Sequence, residues 1–298
     1  MDRETGSERT AAPRFRVTLL GTGNPPPVMA RFGPSTLVEA GEHTLVFDAG
    51  RGALQRLLQL KVPLTEVHTV FLTHLHSDHV VGLPDLWLTG WLYGQREQPL
   101  RVWGPRGTKE MMWHLEQAFQ FDIRIRLYDD RPPPQGVVVL AEEITEGVVY
   151  EHQGVTVTAF EVDHAPLKPA FGYRIDYAGH AVVLSGDTRV NDNLIRFAQG
   201  ADLLVHEVVA PELQRRLFSS NVEWAERIIA HHTTPEQAGA VFARVRPKLA
   251  VYSHIVPVVA TADDLIPPTR QTYAGPVEVG EDLMRIDIGD TVTVQRDS

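Results

Sequence analysis

The densest chemistry in this 298-residue sequence sits in one short run, THLHSDH, which carries His74, His76, Asp78 and His79. Three imidazoles and a carboxylate are the donors that zinc, a borderline ion, prefers. The run closes the apolar segment HTVFL, and strand alternation turns His74 and His76 to the same side before the chain bends. Four adjacent polar groups behind a buried strand are costly to desolvate unless they share a partner, and a metal ion satisfies them together. The chain has no cysteine, which removes disulfides, thiolate nucleophiles, iron–sulfur clusters and thiolate-bound zinc. Any metal must therefore sit on histidine and carboxylate. Ser77 and Ser185 are the other conceivable nucleophiles, but neither stands in a strand–turn–helix elbow, so both read as structural.

Such donors need rigid supports, and the sequence supplies them as short β-rich runs alternating with helical ones. Strands are expected at 16–20, 35–40, 43–47, 67–72, 100–104, 155–162, 170–176, 181–187, 201–207 and 249–254, bounded by Gly, Pro or Asp. Helices are expected at 51–60, at 108–119 on the stripe Met111, Met112, Leu115, Ala118 and Phe119, and after Thr234, where Pro235 and Gln237 complete an N-terminal capping signal. Gly21–Gly23 reads as a tight turn, since no phosphate-loop lysine follows. With 43% apolar residues, the chain can bury a full core, and a single catalytic domain over 15–298 is expected. Residues 1–14 read as a loose polar tail without an export signal, which places the protein in the cytoplasm. No run approaches the roughly 20 apolar residues that span a bilayer. The formal net charge of −10, with no concentrated Lys/Arg run, argues against a nucleic-acid partner.

THLHSDH resembles the signature of the metallo-β-lactamase superfamily. The similarity extends through GTGNPPP, FDAG, DHAP, FGYRI, SGDT, LLVHE, HHTT and YSHI, from Val17 to His254. The resemblance implies an α/β chain folded as a four-layer αββα sandwich, with two zinc ions, manganese or iron being the alternatives. It implies that His74, His76 and His164 hold one ion, that Asp78, His79 and His254 hold the other, and that Asp187 bridges them, with Asp48 supporting the metal loop from behind. Two such ions share and acidify one water, which Asp78 also orients. His76 stands where iron-based redox members tend to carry glutamate, and common true β-lactamases lack a counterpart of Asp187, so ester hydrolysis is the expected chemistry.

The motif order is similar to that of the ribonuclease Z-like branch, in which counterparts of Glu207 and His232 pair near the metals; the resemblance implies a catalytic role for both. Two departures stand out. Only Ala165–Gly186 separate the third histidine motif from the bridging aspartate, which leaves no room for that branch's protruding arm, and the first loop, NPPPVMARFGPST, has Arg31 as its lone base. The expected reaction is therefore hydrolysis of small sulfate or phosphate esters, as in zinc-dependent arylsulfatase-type or phosphodiesterase-like enzymes. A tRNA 3′ processing endonuclease and a lactone or organophosphate triester hydrolase are the alternatives. Trp87, Trp91, Pro26, Pro27 and Phe171 are expected to wall an apolar pocket for the substrate. The expected partners are a small-molecule ester and a second copy of the chain, with no nucleic acid and no membrane.

Overall fold

Alternation along the strands decides the layers. In the computed structural model, which describes residues 14–296, Val17 and Leu19 of β1 (Phe15–Gly21) face one core while Leu20 faces another. Leu45 and Phe47 of β3 (His43–Phe47) likewise face away from Val46. Together with β2 (Ser35–Ala40), β4 (Thr69–Phe71), β5 (Leu100–Gly104) and β6 (Val139–Glu143), these strands form the first sheet. The second sheet holds β7 (Gly147–His152), β8 (Val155–Val162), β9 (Ala170–Tyr177), β10 (His180–Leu184), β11 (Leu203–Val209), β12 (Leu249–Val256) and β13 (Val277–Val279). The chain then returns to the first sheet through β14 (Arg285–Asp287) and β15 (Thr293–Gln295), with β14 pairing beside β1. Of the expected tail, residues 1–13 lie outside the described residues.

The inner faces of the two sheets share one core, in which Val17, Phe47 and Phe71 meet Val157, Tyr173 and Val205. The outer face of the first sheet is covered by α1 (Ala53–Gln59), α3 (Leu83–Leu92) and α4 (Thr108–Tyr128), with the single-turn α2 (Ser77–Val80) between α1 and α3 in the chain. The outer face of the second sheet carries α5 (Asp192–Phe197), α6 (Pro211–Leu217), α8 (Pro235–Val245) and α9 (Ala262–Thr269), and α7 (Val222–Ile229) follows α6. This is the expected αββα arrangement. Among the described residues no helix is long and apolar enough to cross a membrane.

Three expectations change. The helix expected to end at residue 119 runs to Tyr128, held by Arg126–Asp122 and Arg124–Gln120 pairs four residues apart, and stops only where Pro132 approaches. The β6 and β7 strands escaped notice because their alternation is only half-buried against polar residues. Trp87 and Trp91 do not wall a pocket: both are fully buried in α3, with indole N–H groups donating to the carbonyls of Val137 and Pro133 at 2.9 Å. Phe171 also belongs to the core between the sheets.

A buried arginine ties that helical layer together. Arg96 is fully buried without a carboxylate, and its guanidinium donates to the carbonyls of Trp87 (3.0 Å), Gly136 (2.9 Å) and Gln98 (3.2 Å). Burial lowers its pKa to about 10, so it stays charged near neutrality. Replacing it leaves several carbonyls unsatisfied at once. Arg96→Met is expected to lower unfolding free energy by about 3 kcal/mol, measured by urea titration, while the folded fraction keeps the activity of the parent.

Candidate metal centre

Each donor leaves the end of a strand. Asp48 follows β3, His74 and His76 follow β4 and lead into α2 with Asp78 and His79, His164 follows β8, and Asp187 follows β10. His254 lies within β12, where the pairing with β11 skips a position: Glu207 pairs with Ser253 and Val208 with Ile255. His254 is the extra residue of this bulge, with φ of 43°, and the bulge re-aims it out of the ladder. Gly186 takes φ of 61°, and a Cβ there would stand 2.4 Å from the Phe171 carbonyl oxygen, so only glycine delivers Asp187 to this place.

The donors converge as two groups that meet at one carboxylate. His74 Nε2 lies 3.0 Å from His76 Nδ1, and His164 Nε2 lies 3.3 Å from the same atom. On the other side, His254 Nε2 lies 3.4 Å and His79 Nε2 lies 3.7 Å from Asp78 Oδ2. Asp187 Oδ2 stands 3.8 Å from His74 Nε2 and 3.9 Å from His164 Nε2, yet 3.4 Å from His79 Nε2 and 3.2 Å from His254 Nε2. Two ligands of a tetrahedral ion, each about 2.1 Å from it, stand about 3.4 Å apart. The observed spacings fit that edge. His79 Nε2 is moreover buried with no hydrogen-bond partner, as a nitrogen meant for a cation would be. The donor set thus fits divalent metal ions, and Asp187 is placed to serve both groups.

The imidazoles are turned by contacts on their far sides. Asp48 accepts from Thr73 N (2.8 Å), from the Thr73 hydroxyl (2.8 Å) and from His79 Nδ1 (2.8 Å). The Thr73 hydroxyl in turn accepts from His74 Nδ1 at 3.0 Å, and the His231 carbonyl accepts from His164 Nδ1 at 3.2 Å. With Nδ1 occupied, His74, His79 and His164 present Nε2 to the centre. Burial holds His74 well below the ordinary imidazole range and brings His164 down to about 4, which keeps both neutral and able to bind metal. Burial also pushes the Asp187 carboxyl up, but His254 and His79 more than offset it and hold Asp187 well below the usual carboxylate range.

Glu207 and His232 are brought together as expected. Glu207 Oε2 lies 3.1 Å from His232 Nδ1, and Oε1 accepts from Thr233 N at 2.8 Å, so both carboxylate oxygens are engaged. The His232 ring stacks on His254 with centroids 5.4 Å apart. Ser185 is occupied structurally, its hydroxyl accepting from Glu207 N at 3.0 Å. Beside the donors opens a cavity lined by residues that the sequence reading did not single out: Asn24, Gln214, Phe218 and Trp224, with Pro26 the expected member that does line it. The available signal was the segment VEWAERII, a helix that buries only Ala225 and leaves its tryptophan half-open. Thr73 was also missed, although it adjoins His74.

The support behind the donors can be tested apart from the donors. Asp48→Asn keeps the shape but weakens the hold on His79 and Thr73. It is expected to lower affinity for zinc or manganese about 10- to 100-fold, measured by competition with a chromophoric chelator, with circular dichroism unchanged. Undiminished affinity would deny Asp48 this role.

Residues 43–255 match the Beta-lactamase superfamily domain. A protein named ribonuclease Z from Mycolicibacterium gilvum is 38% identical over 280 residues, which cover 92% of this chain and 96% of the relative. A ribonuclease Z from Mycobacterium sp. strain KMS is 37% identical over 286 residues, covering 94% and 99%. Among solved structures, the metallo-beta-lactamase fold protein YhfI from Bacillus subtilis aligns with a TM-score of 0.70 at 20% identity, covering 92% of this chain and all of that one. Human tRNase Z, short form, aligns at 0.69 and 24% identity, covering 92% and 99%. These last two likenesses concern the fold.

The sequence relatives correct one expectation and withdraw support from another. A small-molecule ester partner to the exclusion of nucleic acid is contradicted by relatives named for a ribonuclease, and the arylsulfatase-type assignment gains no support. The missing arm does not discriminate, because 280 aligned positions already take in nearly all of both chains and leave the Mycolicibacterium protein no long insertion that this chain lacks. The net charge does not discriminate either, since it averages over a whole surface while a phosphate meets only one part of it. The chain belongs to the metallo-β-lactamase superfamily and is a metal-dependent hydrolase acting on ester bonds, with relatives named ribonuclease Z along nearly its whole length.

Proposed function

We propose that this protein is a two-zinc endonuclease of the ribonuclease Z type that trims the 3′ side of precursor tRNA. The observation that carries the reading is the near full-length similarity to proteins named ribonuclease Z. The Glu207–His232 pair beside the donor cluster supports it. In this reading His74, His76 and His164 would hold one ion, Asp78, His79 and His254 would hold the other, and Asp187 would serve both. When bound, the ions supply Lewis acidity to the phosphodiester and bring the pKa of a water near neutrality.

The chain's own groups do the rest. Asp78, buried yet held as a carboxylate by His254 and His79, accepts a hydrogen bond from the attacking water and sets its direction. His232 gives a proton from its ring to the leaving oxygen as the phosphorus–oxygen bond breaks, and Glu207, 3.1 Å from Nδ1, fixes the ring and balances its charge. No serine takes part.

Two outcomes are expected. Chelation abolishes cutting of precursor tRNA and zinc restores it, whereas Asp187→Ala loses metal that Ser77→Ala keeps; equal retention, measured by atomic absorption, would refute the bridge. In fully metallated protein, His232→Ala slows cutting of the natural phosphodiester about 10²- to 10⁴-fold. A substrate with sulfur in place of the leaving oxygen needs no proton, so there the variant should nearly match the parent. An equal loss on both substrates would make His232 a charge contact and not a proton donor.

A further inference from the structure

The cavity beside the donors measures about 720 Å³, and its walls are mostly apolar with no Lys or Arg among the lining residues. Away from the donors and His232, those walls offer a phosphate no cation. Two amides interrupt the apolar surface. Asn24 and Gln214 are 7% and 2% exposed, and Asn24 Oδ1 and Gln214 Oε1 are buried with no hydrogen-bond partner among the described residues. Buried amide oxygens are rarely left unpaired in native proteins, and both side chains border the cavity, so a turn of either amide would bring its oxygen to a polar group placed there.

Two aromatic rings stand within the otherwise aliphatic part of the lining. Phe218 and Trp224 meet at the junction of α6 and α7 with ring centroids 4.5 Å apart and planes tilted by 60°, and Trp224 stays 42% exposed. Asn24 sits on a loop that is fixed beforehand. Asp282 accepts from Thr22 N, from the Thr22 hydroxyl and from Phe32 N, and Ile255 N donates to the Thr22 carbonyl next to His254. A purely apolar ligand would leave the amides unpaired, and a small inorganic ion would leave the ring faces bare. A flat heteroaromatic ring with donors and acceptors on its edge meets both demands.

Building on the endonuclease reading, we infer that this cavity receives one unpaired base next to the phosphodiester that is cut. Trp224 and Phe218 offer stacking faces, and Asn24 and Gln214 read the base edge. These residues would then set which nucleotide the enzyme prefers at that position.

The test uses the zinc-loaded full chain and precursor tRNAs carrying each of the four bases, or an abasic nucleotide, on either side of the scissile phosphate. Stacking on an aromatic side chain is worth roughly 5- to 150-fold in affinity per base. Trp224→Ala should lower kcat/KM on base-bearing substrates by a factor in that range, and Trp224→Phe should recover most of it. At one of the two flanking positions, the abasic substrate should bring parent and Trp224→Ala together. Gln214→Leu, which keeps the buried volume, should reorder the preference among the four bases at that same position. A Trp224→Ala loss that ignores the abasic change, or no loss at all, would overturn the base pocket while the endonuclease stands. If the parent cuts none of these RNAs, both readings fall.

Discussion

The Asp48 carboxylate accepts hydrogen bonds from Thr73 N, the Thr73 hydroxyl and His79 Nδ1, and one donor of each group takes its orientation from it. One oxygen fixes the backbone at the exit of β4, and the other turns the ring of His79. Through the Thr73 hydroxyl the same carboxylate also orients His74. One imidazole from each donor group is thereby set by one buried acid. The backbone is equally committed: Asp48 N donates to the Phe71 carbonyl, Ala49 N to the His79 carbonyl, and Phe171 N crosses from the second sheet to the Thr73 carbonyl. A buried network of this kind specifies one arrangement because every alternative leaves polar atoms unpaired.

Around that point the fold divides the work. Donors come from strand ends, where two packed sheets allow little movement, and the exceptions to regular strand geometry fall where a donor has to be re-aimed. The bulge at His254 and the left-handed Gly186 before Asp187 are both of this kind. The cavity borders the donors themselves, and its other walls come from the loop after β1, the α6–α7 junction and residues 256–259. Donors and outer cavity walls thus come largely from different segments of the chain.

Charge has a local meaning in this molecule that the total conceals. A formal charge of −10 describes the average surface, whereas the centre gathers six imidazoles, including His232, around two aspartates, Asp78 and Asp187. A centre filled with divalent ions is electropositive whatever the rest of the surface carries. Global repulsion of RNA and local attraction of one phosphodiester are compatible, which is why composition misdirected the expectation about nucleic acid.

The sequence by itself pointed to the candidate donors, because four metal-ligating residue types in one short run after an apolar strand have few other uses, and the family resemblance singled out His164, Asp187, His254, Glu207 and His232. Continuous apolar runs such as LVF in HTLVF argued for strands buried on both faces, whereas the αββα layering came from the family resemblance. The reach of α4 past residue 119 was not legible, because helix-favouring polar residues continue without a breaker until Pro132. The pocket was misplaced for a stronger reason. Tryptophans in LWLTGW and in VEWAE look equally available in one dimension, yet the first pair is sealed by Val137 and Pro133 carbonyls from a distant loop, while Trp224 is left half-open over the donors. Only tertiary packing decides which aromatic face remains uncovered, because burial depends on what arrives from elsewhere in the chain.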